Sequence, residues 1–284
     1  ELIRKLHARF APGGLLHYGQ GKWYPGESLP RWAFGLYWRK DGVPIWKNAD
    51  LIAKIDDPRK AGIAEAQRMM EGTAKRLGLD IAYVMPAYED PAHWLQKEAA
   101  LPVNVDPGDS KLADPEERKR MARVFDEGLN TPNGFVLPIH HAGADAKGWL
   151  SERWKLRRSH LFLIPGDSPL GLRLPMSSLP HIPPEEYPYV VEQDPMEPRL
   201  ELAVEEKDTE AGVVTAKPEP KPKEKRRLKP VRTALSVEIR DGVLCVFMPP
   251  VERVEDYLEL IAAVEAAAEE MQVQVHVEGY GPPY

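Results

Sequence analysis

The stretch from about residue 191 to 231 constrains this chain more than any other. Residues 192–210 carry eight Asp/Glu against Arg199 and Lys207. Residues 217–232 then carry eight Lys/Arg against Glu219 and Glu224, broken by Pro218, Pro220, Pro222 and Pro230. Neither block shows apolar periodicity. Opposite charge blocks punctuated by proline cannot bury enough surface to offset the entropy of ordering, so 191–231 is expected to be an extended, disordered linker. It separates a large region, 1–190, from a small unit, 232–284. The basic run has no aromatic residue on which a base could stack, and the 284 residues carry a net charge of −6, so no nucleic-acid partner is expected.

Outside the linker the chain reads as globular. It is 43% hydrophobic, yet no run of apolar residues approaches the 18 or so that a membrane-spanning helix requires, so no membrane partner is expected. A single cysteine, Cys245, excludes an internal disulfide and a cysteine-rich zinc site, and points to a reducing, cytoplasmic setting. Glu1-Leu2-Ile3-Arg4 lacks the layout of a signal peptide and has no initiating methionine, and the sequence stops abruptly at Tyr284. The chain therefore reads as an internal piece of a longer protein.

The small unit has the clearest pattern. Residues 236–240 and 243–248 are strand-like and flank Asp241-Gly242, a pair suited to the positive φ angles of a tight hairpin. A two-residue loop sets Ile239 opposite Leu244 and Val237 opposite Val246 on one face, and Cys245 opposite Glu238 on the other. Residues 252–271 place Val254, Tyr257, Leu258, Ile261, Val264, Ala268 and Met271 on one helical stripe, and 272–278 alternates as a strand. The unit is β-β-α-β.

In the large region, Asp114 caps a helix with Pro115 in its first turn and Glu116-Glu117 at its positive end, closing at Gly128. A second helix spans about 59–77 and stops at Gly78, and strands are expected at 81–85, 135–139 and 160–164. This pattern predicts an α+β fold with a mixed or largely antiparallel sheet, with a doubly wound parallel sheet as the alternative.

The common catalytic signatures are missing. Gly14 and Gly19 have phosphate-loop spacing, but Gln20 and Gly21 stand where Lys and Ser/Thr are required, and there is no HExxH, GxSxG or CxxC. Two other stretches can carry chemistry. Residues 16–46 hold four of the seven tryptophans together with Lys22, Trp23, Tyr24, Glu27, Arg31 and Arg39, and with glycines that permit close backbone approach. Such a loop can hold an anionic ligand, or can pack on the core with its cations over rings. Residues 161–175 end a buried strand in Pro165-Gly166-Asp167-Ser168, with Arg173 just beyond. Strand ends gather functional groups, but Asp and Ser can equally cap their own turn. Upstream, Trp149, Trp154, Arg157 and Arg158 can form a cationic aromatic wall or one helix face. His140 and His141 face opposite sides of a strand and cannot easily share a metal. Cys245 reads as a small half-buried hydrophobe, and Glu278 as a solvated strand end or a magnesium ligand.

Several of these stretches resemble one family. They are 17–27 (His-Tyr-Gly-Gln-Gly-Lys-Trp-Tyr-Pro-Gly-Glu), Leu29-Pro30-Arg31-Trp32, Leu163-Ile164-Pro165-Gly166-Asp167-Ser168-Pro169, Val246-Phe247-Met248-Pro249-Pro250 and Glu278-Gly279-Tyr280. The chain resembles the large bacterial proteins in which a transglutaminase-like domain precedes an amidoligase domain. The resemblance implies a carboxylate–amine ligase related to the glutamine synthetase and glutamate–cysteine ligase fold. Such an enzyme uses ATP and magnesium to make an acyl phosphate that an amine attacks, on amino-acid or peptide carboxylates. It casts Lys22, Arg31 and Arg173 as phosphate or carboxylate holders and Glu278 as a magnesium ligand. The transglutaminase-like domain is expected before Glu1, and further acidic strands beyond Tyr284. The alternative is a non-catalytic scaffold or peptide-binding module built around Trp23, Trp32 and Trp38.

Overall fold

The computed structural model describes residues 2–20, 32–54, 60–101, 103–104, 114–142, 148–156, 159–181, 202 and 230–283. The charged segment from 191 to 229 lies outside the described residues except for Leu202. In chain order the elements are α1 (Leu2–Phe10), β1 (Leu15–Gln20), β2 (Trp32–Tyr37), α2 (Ile63–Arg76), β3 (Met85–Tyr88), α3 (Pro91–Glu98), α4 (Pro115–Glu127), β4 (Gly134–Pro138), β5 (His140–His141), β6 (Trp149–Leu150), β7 (Leu161–Phe162), β8 (Ala234–Arg240), β9 (Val243–Met248), α5 (Val254–Met271) and β10 (Val275–Gly279).

Eight of the described strands form one sheet in the order β2-β1-β10-β9-β8-β4-β3-β7, while β5 and β6 pair separately. The fold is α+β with a mixed sheet. β10 runs parallel to both β1 and β9, β3 runs parallel to β7, and the remaining pairs are antiparallel. The antiparallel pairs rule out the doubly wound parallel alternative. Strands from both sides of the charged segment share this sheet, because β10 is inserted between β1 and β9 and β8 pairs with β4.

Local chemistry accounts for the elements. Asp241 and Gly242 both take positive φ, 52° and 78°, and the hairpin sets Val237, Glu238 and Ile239 against Val246, Cys245 and Leu244 as its two-residue loop demands. Asp114 caps α4 through the Glu116 amide, and Gly128 ends it at φ 57°. α2 starts at Ile63 rather than near 59, because Glu65 accepts the Gly62 amide and fixes the first turn there. Residues 81–83 form a 3-10 turn instead of a strand, since Asp80 accepts the Ala82 amide, and the strand begins at Met85. The strand expected over 160–164 is reduced to Leu161–Phe162, because the Ile164 amide bonds to Arg173 and turns the chain back.

The two faces of the sheet differ. On one, α2 and α5 cover Phe135, Leu137, Leu235, Val237, Leu244, Val246, Val275 and Val277, and bury Tyr257, Ile261 and Val264 against them. Among the described residues, the other face carries no α-helix over its centre. Its β3, β4 and β7 side is covered by residues 163–179, with Leu163, Leu170 and Leu174 packed on Met85, Ala87 and Val136. This cover depends on two glycines. A Cβ at Gly171 would lie 2.1 Å from the Phe247 ring, and one at Gly134 would lie 2.3 Å from the Val237 oxygen and 2.6 Å from Leu170 Cδ1.

Gly134→Ala must therefore separate β4 from β8 or lift the 170–172 turn. A loss of about 1–3 kcal/mol or more is expected in urea unfolding. An unchanged midpoint would show that the turn does not pack there.

Candidate functional site

The sheet pleat collects an unusual set of side chains on the helix-free face. Where one face of β8, β9 and β10 presents Val and Leu to the helices, the alternate positions are Ser236, Glu238 and Arg240, then Cys245 and Phe247, then His276 and Glu278. The register lines them up in two rows. One runs Ser236, Phe247, Glu278, Tyr18 and Phe34, and the other runs Gly134, Glu238, Cys245 and His276.

Arg240 links the two rows. Its Nη2 donates to Glu278 Oε2, and its Nη1 lies 3.6 Å from Glu238 Oε1. His276 Nε2 is 3.7 Å from the same Glu278 oxygen. The Glu278 side chain is fully buried, whereas that of Arg240 keeps a third of its surface in solvent. Glu278 Oε1 is buried and has no hydrogen-bond partner among the described residues. Burial pushes the Glu278 carboxyl up to about 7 against the pull of Arg240. Burial raises Glu238 as well, again opposed by Arg240, and drives His276 down to about 4 with help from the Arg240 charge. The cluster therefore holds a permanent cation, a carboxyl that titrates near neutrality and an uncharged imidazole.

Glu238 ties this centre to the loop cover. Its Oε1 accepts the Leu170 amide at 3.0 Å. Three residues on, Arg173 is buried, donating from Nη2 to both oxygens of Glu89 at 2.6 Å and from Nε to the Ile164 oxygen at 2.7 Å. On the other flank, Tyr18 stacks on Trp32 and leans on Phe34 and His276, forming a ring platform beside Glu278.

The sequence-derived candidates fall in different places. Lys22, Trp23, Tyr24, Glu27 and Arg31 lie outside the described residues, as do Arg157 and Arg158. Asp167 is exposed and 3.7 Å from Arg120 Nη2, and Ser168 shares its turn half-buried. Arg173 sits within the loop cover, its guanidinium committed to Glu89 and Ile164. Glu278 lies at the centre of the cluster. Trp149 is in a strand and Trp154 in irregular chain, both buried, so they form no helix face. His141 pairs with Asp256 at 3.5 Å and packs edge-on against Trp149. Among the described residues, no group of three or more His, Cys, Asp or Glu is placed to hold a metal ion.

Four participants escaped sequence reasoning: Glu89, Glu238, Arg240 and His276. For Glu238 the signal was available, since the hairpin register already put it opposite Cys245 on the face away from the valines, and Arg240 follows by alternation. Glu89 had none, because its partner Arg173 is 84 residues away.

Two expectations follow from the burial of this face. In the Glu278 linkage the folded carboxyl lies near 7 and the unfolded one near 4.5. The stability it contributes is complete below 4.5 and is lost as pH rises through 7, by about 3 kcal/mol. Unfolding free energies of the native protein, measured relative to Glu278→Gln, should fall by that amount across the window, and parallel pH profiles would refute the assignment. Burial also pushes the Cys245 thiol up to about 12. It should resist alkylation at pH 8 until denaturant is added, and rapid labelling of the folded protein would show that the face opens.

The profile of a family described as "Putative amidoligase enzyme (DUF2126)" matches residues 1–284. No curated protein and no solved structure matches the chain.

Proposed function

Because the chain belongs to this amidoligase family, we propose that the Arg240 cluster is part of an ATP-dependent ligase site joining amino-acid or peptide carboxylates to amines. The observation that carries the reading is the Glu278–Arg240–Glu238 arrangement, with the partly exposed Arg240 side chain between two carboxylates and a buried Glu278 oxygen that has no partner among the described residues.

In such a reaction a substrate carboxylate oxygen attacks the γ-phosphorus of ATP, and ADP leaves. The amine nitrogen then adds to the acyl carbon, phosphate departs, and the nitrogen gives up a proton. Charge neutralisation around the phosphates is the main requirement. Arg240, whose side chain keeps a third of its surface in solvent, can meet it, since a planar fork suits phosphate oxygens. Glu278 and Glu238 fit a magnesium site of the kind that uses one or two carboxylates with substrate phosphates, Glu278 Oε1 being the atom left to bind. Magnesium, when bound, would neutralise charge on the phosphate oxygens. Glu278 would then ionise and release its proton, because an arriving cation favours the carboxylate. His276, held neutral, adds no competing positive charge. The ring platform of Tyr18, Trp32 and Phe34 beside the cluster also suits a non-catalytic peptide-binding module, and that reading expects no nucleotide binding. The proposal extends, on the motif resemblance, to a cytoplasmic bacterial protein in which a transglutaminase-like domain accompanies this one.

Calorimetric titration of Mg-ATP in two buffers of different ionisation enthalpy tests it. Saturable binding with proton release near pH 7 is expected. Arg240→Lys, which keeps the charge and loses the fork, should weaken binding about tenfold or more. Glu278→Gln should abolish the proton release. No heat from the native protein would refute the ligase assignment.

A further inference from the structure

Among the described residues the large sheet has two edges, and they differ. At one, β7 is only two residues long, which offers another chain little to pair with. At the other, β2 runs for six residues and pairs on its inner side with β1. Half of its backbone N–H and C=O groups therefore point away from the sheet. Proteins commonly protect such an edge with a charged side chain, a proline or a bulge. β2 has none of these. Residues 32–38 read Trp-Ala-Phe-Gly-Leu-Tyr-Trp, and the strand matches β1 residue for residue from Tyr37 opposite Leu15 to Trp32 opposite Gln20.

One face of the strand is apolar as well. Alternation puts Trp32, Phe34 and Leu36 on the helix-free face, where Tyr18 stacks on Trp32 and touches Phe34. Phe34 is nevertheless 49% exposed, and Trp38, directly after the strand, is 59% exposed. The ring platform thus ends in open aromatic surface at the edge where a further strand would add. Trp32, Phe34 and Tyr37 also line a cavity of about 250 Å³, together with Gly19, Gly279 and Phe247 at or near the carboxyl ends of β1, β10 and β9.

Charge and symmetry decide what pairs with this edge. The uncharged stretch is bounded by Arg31 and Arg39. An antiparallel copy of the same strand, related by a two-fold axis through Gly35, sets Trp32 opposite the partner's Trp38, Ala33 opposite the partner's Tyr37 and Phe34 opposite the partner's Leu36. Each of these pairs is apolar and directly cross-strand, the arrangement that stabilises sheets. Moving the axis to Phe34 sets Arg31 opposite the partner's Tyr37, and moving it to Leu36 sets Arg39 opposite the partner's Ala33. With the axis at Gly35 the arginines meet only at the ends, where Arg39 is held by the Asp41 carboxylate. A second copy therefore meets the strand with an equally uncharged partner of the same length, and a two-fold contact of this kind closes on itself.

We propose that β2 pairs antiparallel with the β2 of a second copy, giving a two-fold dimer with one continuous sheet through both chains. The proposal is independent of the ligase reading. It also bears on the charge cluster, because the partner's Leu36 and the partner's Trp38 extend the ring platform that Tyr18 and His276 begin beside Glu278. A single short strand pair buries less than the roughly 1,600 Å² of a standard interface, so a dissociation constant on the order of micromolar is expected.

Sedimentation equilibrium of the native protein across roughly 1–200 μM should show reversible dimerisation. Hydrogen exchange read by mass spectrometry at the two ends of that range should show residues 32–38 gaining protection as the dimer forms. Trp38→Ser removes an aromatic anchor at a largely exposed position. It should weaken dimerisation about tenfold or more and remove the concentration-dependent protection, with no change in the unfolding midpoint at low concentration. The native measurements decide the matter even if the variant fails to fold. A monomer over the whole range would overturn the proposal, as would a dimer in which 32–38 gains no protection or one that Trp38→Ser leaves intact. Equal protection of 32–38 at both concentrations would show the edge to be covered within one chain, and would equally refute it.

Discussion

The arrangement of this protein depends on Arg240 being held between Glu278 and Glu238 on the helix-free face of the sheet. A buried carboxylate without a partner costs several kcal/mol, so once Glu278 is enclosed the guanidinium cannot leave without a large penalty. The tie spans β8, β9 and β10, and β10 reaches its place only after an 18-residue helix. On the other face, Val275 and Val277 pack under α5, and this already fixes which side of β10 faces the helices. The charge pairing adds a positional demand, since only one register along the strand brings Glu278 to Arg240. Through the Leu170 amide on Glu238, the same demand reaches the loop cover and the buried Arg173–Glu89 pair.

Well-packed apolar side chains of similar volume would hold three strands together at least as well as a buried ion cluster does. The cost of keeping charge here is visible in the raised Glu278 and Glu238 carboxyls and the depressed His276. Perturbed groups gathered on one side of a sheet, beside a cavity, are the arrangement expected of a site rather than of a structural core. Arg173 and Glu89 show the contrast. That pair is also buried, with Nη2 bonded to both carboxylate oxygens and Nε to a backbone oxygen, and only a tenth of the Arg173 side chain reaches solvent. Arg240 keeps a third of its side-chain surface free.

Legibility in the sequence followed the range of the interactions. The hairpin, the capped helix from Pro115 and the α5 stripe were readable, because each is set by residues within a few positions of one another: Asp241-Gly242, Asp114 with Gly128, and the spacing of Tyr257, Ile261 and Val264. The mixed sheet was predicted as a class, but the placing of β10 between β1 and β9 was not, since no local pattern states which strands become neighbours. The site divided the same way. Glu278 was singled out from its place at a strand end. Arg240 and Glu238 lie one step of alternation away, but charged residues near a hairpin turn usually face water, so nothing local marks them as a site. Arg173 was legible as a conspicuous cation, but its commitment to Glu89 depends on contacts far apart in sequence. The ends of the elements shifted where a side-chain cap competed with propensity, as at Asp80 and Glu65.

The position of the charge cluster and the position of the adjoining cavity have one origin. β1, β10 and β9 are parallel neighbours, whereas β8 and β2 run antiparallel on either side. Three parallel strands end together, and their ends leave a gap that the antiparallel flanks do not fill. Glycines at 19 and 279 keep that gap open, and the last side chain of β10 before it is Glu278. The alternation that turns Val277 toward the helices turns Glu278 to the other face. A polar centre and a glycine-walled cavity thus meet at one point because a single strand supplies both, with its final carboxylate on one side and its terminal glycine on the other.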